Sequence, residues 1–198
     1  MEVQLSLVAP EETIYSIDTN VFLDIWCPPD TNIFSKHRMP ELWEHIEKLV
    51  DAGRIIATRE VYDELKDHAA DDLLEWLNGH KSMFVETDLV IVGHAKTIIN
   101  DIYTKYKGGY KPDQKNAADP FVVAVALSRQ AIVFTQESNL GLHNPKDVKA
   151  PKIPNVCETC EVECVNMHEF IEREGFSIRM VKAETPALQS VQVELEAA

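Results

Sequence analysis

Short apolar runs alternate with longer stretches of helical periodicity along most of the chain. Residues 14–17 predict a first strand. Residues 19–26 begin a short helix that Pro28 and Pro29 must end, because proline cannot continue the helical ladder. From Glu41, Leu42, Trp43, Ile46, Leu49 and Val50 recur at helical spacing, and Gly53 is a natural C-terminal stop. Residues 54–57 read as a second strand, followed by a helix from Thr58. Residues 70–78 form a further helix with Leu73, Leu74, Trp76 and Leu77 on its apolar face. Ile91, Ala95, Ile98, Ile102 and Tyr106 mark a longer one that ends at Gly108 and Gly109. The stretch "ADPFVVAVALSRQ" opens a helix with Asp119 as N-cap and Pro120 at the first helical position. Residues 131–135, "AIVFT", are the next strand. "EVECV" and "NMHEFIEREG" give a last strand and helix, with Asn166 and Glu169 placed as a capping box.

Strands separated by helices indicate an α/β fold with a mainly parallel sheet. The expected organisation is one domain over residues 10–175, with residues 176–198, and clearly 182–198, as a C-terminal tail or partner-binding segment. A hydrophobic content of 45%, with three Trp, seven Phe and five Tyr, supports a packed core. No apolar run reaches the roughly 18–20 residues of a membrane span. Residues 1–10 lack the basic start and long apolar run of a secretion signal, so a cytoplasmic protein without membrane contact is expected.

A net charge of −14, from 19 basic and 33 acidic residues, opposes general attraction to nucleic acid. It leaves room for a local basic contact, or for an acidic pocket offset by bound cations. Cys157, Cys160 and Cys164 form C-x2-C-x3-C, while Cys27 stands apart. With His168 they would make one cramped zinc cluster instead of two separated ligand pairs, and Cys164 lies in the alternation of a strand. Buried thiols are the simpler expectation.

The acidic residues fall at informative places. In open parallel sheets, ligands sit beyond the carboxyl ends of the strands. Asp18 ends the first strand, and Glu137 lies two residues past "AIVFT". Asp119 opens the helix leading into that strand, and Glu64 sits one turn from Glu60 on the helix after the second. Singly, each has a plain role as a cap or a solvated helix face. Together they would repel one another at one sheet edge unless a hard cation is held there, since Mg²⁺ and Mn²⁺ favour oxygen ligands.

"IDTNVFLD", the Glu of "EVYDEL", "ADPFVVAVAL" and "IVFTQES" resemble the four acidic motifs of the PIN-domain ribonucleases. Forty-six residues separate Asp18 from Glu64, 55 more lead to Asp119 and 18 more to Glu137. The likeness is greatest to PIN proteins that act as toxins in toxin–antitoxin pairs, within a subfamily catalogued as a domain of unknown function. It implies a three-layer PIN-like fold, its mainly parallel central sheet flanked by helices, and Mg²⁺- or Mn²⁺-dependent endoribonuclease activity. Asp18, Glu64 and Asp119 would take metal-ligand positions and Glu137 the fourth acidic position. Thr135 would be the hydroxyl near the site and Asn20 the polar residue after the first aspartate. An antitoxin partner and a homodimer are usual for such proteins. Two departures stand out: the fourth acidic residue is Glu instead of Asp or Asn, and residues 105–115 are longer than in minimal toxins.

RNA would need a local landing surface. Tyr103, Tyr106 and Tyr110 interleave with Lys105, Lys107, Lys111 and Lys115, offering phosphate contacts and base stacking; the same pattern also fits a solvated helix end and loop. Asp24 reads as a surface or helix residue. Three alternatives compete with the ribonuclease. One is a catalytically silent PIN-like module working through protein contacts, and another is a flap-type nuclease acting on DNA. The third, an aspartyl-nucleophile phosphatase, is disfavoured because Asn20 stands where its D-x-D general acid is required.

Overall fold

The computed structural model describes residues 13–112, 117–141 and 144–176. The expected tail from 177 onward and Lys115 lie outside the described residues. Within them the chain is α/β, with one five-stranded, all-parallel sheet flanked by helices. Strand β1 (Tyr15–Ile17) leads directly into α1 (Thr19–Trp26), and α2 (Pro40–Asp51) precedes β2 (Ile55–Thr58). Next come α3 (Arg59–His68), α4 (Asp71–Gly79), a 3₁₀ turn (Lys81–Met83) and β3 (Phe84–Val85). Helix α5 (Leu89–Asp101), a second 3₁₀ turn (Tyr103–Lys105) and α6 (Asp119–Arg129) lead to β4 (Ile132–Phe134). The final elements are α7 (Ile153–Cys160), β5 (Cys164–Val165) and α8 (Met167–Arg173).

The strand order is β3-β2-β1-β4-β5. Tyr15 aligns with Ile55 on one side and Ile132 on the other, which brings Ile17 level with Phe134. The central strand is buried on both faces, as a parallel sheet covered twice requires, and its one polar side chain is satisfied: Ser16 donates to the Val122 carbonyl at 2.9 Å. Helix α3 packs on α1 and α4, and α6 on α5 and α7, the two groups that the right-handed rule for parallel crossovers assigns to opposite faces of the sheet. Phe134 and Phe170 stack in the core with Tyr15 edge-on to both, and the Tyr15 hydroxyl and Arg54 both donate to Glu174 at 2.7 Å, fastening the end of α8.

Three sequence expectations need correction. Helix α5 stops at Asp101 instead of continuing to Tyr106, because the chain tightens into a 3₁₀ turn that buries Tyr103 completely. Asp119 is the first residue of α6, not its N-cap; Ala118 occupies that place and the Asp119 side chain makes no capping bond. Finally, β3 and α7 went unread. The first is only two residues long, and the second is eight residues starting "IPN", too short and proline-marked to show a period. No helix among the described residues is long and apolar enough to cross a membrane.

Candidate functional site

The chain reverses its direction of travel across the sheet between β1 and β4, which are adjacent but far apart in sequence. At such a switch point the loops leaving the two strands diverge and open a crevice at the carboxyl edge. Asp18 follows β1 at this edge and Thr135, Gln136 and Glu137 follow β4. The N-termini of α1, α6 and α7 contribute to the same rim through Asp18, Asp119 and Lys152, and α3 reaches it through Glu64.

Asp18 is 3% exposed and caps α1, accepting from the Thr19 N–H at 2.7 Å. Its other oxygen accepts from the Thr135 hydroxyl at 2.8 Å. Asn20 braces that hydroxyl by donating to it at 3.3 Å, and accepts from the Gln136 N–H at 3.0 Å. The Thr135 oxygen also accepts from the Glu137 N–H at 3.2 Å, so the turn after β4 folds around it. Glu64 is no solvated helix-face residue: one oxygen accepts from the Thr19 hydroxyl at 2.8 Å and the other from the Ala118 N–H at 3.0 Å. It thereby joins the starts of α1 and α6. Glu60, one turn away, also points inward; one oxygen is buried without a hydrogen-bond partner among the described residues. Asp24 lies on α1 and accepts from Gln136 at 3.3 Å.

Asp119 is 7% exposed and accepts from the Tyr103 hydroxyl at 3.3 Å. Burial, reinforced by Asp119, keeps the Tyr103 phenol protonated far beyond its ordinary range, so it serves as a fixed donor. Tyr110 packs edge-on against Tyr103 and donates to the Ala117 carbonyl at 2.9 Å. Base stacking by Tyr103 is therefore corrected: the ring is wholly internal, and it supports the acidic site from below. Lys105, Lys107 and Lys111 of the same segment are exposed.

Electrostatics tie the carboxylates together. Burial first, then the charges of Glu137 and Glu64, push Asp18 up to about 7 against the pull of the Thr135 and Thr19 hydrogen bonds. Asp119 is raised well above the usual carboxylate range by burial, then by Asp18, Glu137 and Glu64. Glu137 is held differently: one oxygen accepts from the Lys152 ammonium and the other from the Ile153 N–H at 2.8 Å, at the start of α7. Lys152 was missed at the sequence level, where it stands between two prolines in a stretch without periodicity.

The donor set fits a hard divalent cation. It is made of oxygens, its two central carboxylates are buried, and their mutual repulsion calls for positive charge. Among the described residues no three His, Cys, Asp or Glu side chains are grouped as a ready-made metal shell. Mg²⁺ typically takes one or two carboxylates and keeps water or substrate oxygens for the rest, so Asp18 and Asp119 are the pair that would hold it. Between α7 and β5, Cys157 and Cys164 lie together as free thiols, and their hydrogen bond, then burial, pushes Cys157 above its ordinary range. His168 is exposed on α8 beside Glu172.

Fold and site together define an α/β protein with a buried acidic centre at the switch point of a parallel sheet. The chain belongs to the family described as a domain of unknown function (DUF4411), which matches residues 15–178. No curated protein matches the sequence.

Proposed function

We propose that this protein is a PIN-type endoribonuclease, dependent on Mg²⁺ or Mn²⁺, and the toxin of a cytoplasmic toxin–antitoxin pair. The observation that carries this reading is the meeting of Asp18, Glu64, Asp119 and Glu137 at one sheet edge, with two of them driven toward protonation by burial first and then by their acidic neighbours. A structural role alone gives no reason to gather acidic side chains where each makes the next more costly.

Asp18 and Asp119 would hold the cation, and Glu64 and Glu137 would reach it through water. When bound, the ion supplies Lewis-acid chemistry, drawing charge from a phosphate oxygen and making water acidic enough to attack near neutral pH. The protein fixes the geometry. Thr135 and Thr19 orient Asp18, Asn20 holds Thr135, and Tyr103 keeps one oxygen of Asp119 in place. Glu64, hydrogen-bonded at the starts of both α1 and α6, fixes the two helices relative to one another. Preorganised groups of this kind need no rearrangement as charge builds in the transition state. Lys105, Lys107 and Lys111 stand ready to meet the RNA backbone.

Incubating the protein with total RNA and Mn²⁺ or Mg²⁺, followed by mapping of the new ends, tests the reading. Discrete cuts are expected, lost on chelation and in a folded Asp18→Ala variant. Intact RNA with every cation would support a silent module that works through protein contacts, and cleavage of DNA in preference to RNA would point to the flap-type alternative.

A further inference from the structure

Four carboxylates carry more negative charge than one divalent ion neutralises, and the structure brings one lysine to them. The Lys152 ammonium donates to Glu137, and its field reaches Asp119 and Asp18. Its backbone is well fixed. Lys152 is the extended N-cap of α7, its N–H donates to the Asn155 side chain at 3.3 Å, and prolines flank it at 151 and 154. The preceding segment is pinned as well, since the Lys107 and Gly108 N–H groups donate to the Val148 and Lys149 carbonyls. Only the side chain is free to swing, and it is 47% exposed, open to solvent and to an arriving substrate.

We propose that Lys152 is the second cation of the site. With one divalent ion on Asp18 and Asp119, its ammonium passes from Glu137 to a non-bridging oxygen of the scissile phosphate as RNA binds. There it holds the charge that develops during hydrolysis. A water oxygen bonds to phosphorus and gives up a proton to solvent, the bond from phosphorus to the departing ribose oxygen breaks, and that oxygen takes a proton from solvent; Lys152 only exchanges hydrogen bonds. Two-metal nucleases draw this charge from a second ion about 4 Å from the first. An ammonium on a flexible stem is a compact point charge able to move between two anions without backbone change. The inference rests on the ribonuclease reading and adds to it a catalytic residue and a metal count.

A merely structural Lys152, clamping the loop after β4 to α7, would not alter how many ions bind. Calorimetric titration of MnCl₂ into the full chain separates the two roles, with wild type, Lys152→Met and Lys152→Arg compared and their folding checked by circular dichroism. Cleavage of a single-stranded RNA oligonucleotide is followed in parallel at saturating Mn²⁺. One ion per wild-type chain is expected. Lys152→Met should gain a second ion, or bind the first about tenfold more tightly, because the acidic cluster loses the ammonium that offsets its charge. Its kcat should fall about 100-fold with KM little changed, and Lys152→Arg should recover most of that loss. Two ions on the wild type would overturn the assignment, as would Lys152→Met with unchanged ion count, affinity and kcat; the ribonuclease reading survives either result. A wild type that binds no Mn²⁺ and leaves RNA intact overturns both. A wild-type count of two ions overturns the assignment even where a variant fails to fold.

Discussion

As the N-cap of α1, Asp18 is stabilised in its charged form by two hydrogen bonds, yet burial and neighbouring carboxylates outweigh them and push it up to about 7. In the unfolded chain the same group titrates near ~4. The folded state therefore binds this proton more tightly, so its contribution to stability is complete below about pH 4 and is lost as pH rises through 7. Asp18→Asn cannot ionise and escapes that loss. In the metal-free protein, its melting temperature relative to wild type should rise by about 3 °C or more between pH 5 and pH 8. Differential scanning calorimetry with a chelator present checks this, and a difference constant across the range contradicts it. Asp18, Asp119 and Glu137 were legible in the sequence because each sits close to where a strand or helix begins or ends, whereas Glu64, inside α3, stood out only through the family resemblance. Lys152 was not, since nothing local distinguishes a lysine that meets Glu137 from one in solvent. Tyr103 was read as a base-stacking ring because sequence spacing says little about which aromatic of a Lys/Tyr run turns inward.

Among the elements, those with a helical period, an apolar run or a clear stop signal were readable: β1, β2, β4, α1, α2, α3, α4, α6 and α8, with β5 inside the longer run "EVECV". Two short ones were not. With two residues, β3 cannot show alternation, and α7 offers only Ile153, Val156 and Cys157 as its buried face. The end of α5 escaped because Ile102 and Tyr106 continue its apolar spacing while the backbone already turns. The connection between α5 and α6 has a steric requirement of its own at Gly108, where a Cβ would lie 2.5 Å from the Lys149 carbonyl oxygen. That oxygen is backbone and accepts the Gly108 N–H at 2.7 Å, so it cannot retreat cheaply. Gly108→Ala should cost about 1–3 kcal/mol in urea denaturation. Because the clash bears on the segment leading to Lys152, cleavage should weaken too; unchanged stability would show that the two strands of this loop are not in register.

For the molecule as a whole, the parallel sheet, its reversal between β1 and β4 and the acidic crevice at that point form one arrangement. The alternation of strands and helices announced the α/β class, but only tertiary pairing shows β1 at the centre and β4 beside it. The net charge of −14 makes local positive charge decisive for an RNA substrate. Replacing Lys105, Lys107 and Lys111 together by alanine should weaken RNA binding and reduce the log–log salt slope by about 2, roughly 0.7 per phosphate contact on a single strand. An unaltered slope, read by fluorescence anisotropy over a salt series, would leave this face a solvated loop. The central claim is that Asp18 and Asp119 hold a cation that cuts RNA. Its most direct test is the cleavage of a labelled single-stranded RNA in Mn²⁺ by wild type and by a folded Asp119→Asn variant. The account predicts metal-dependent cleavage by the wild type and a loss of at least about 100-fold in the variant; equal cleavage by the two proteins, or none by the wild type, contradicts it.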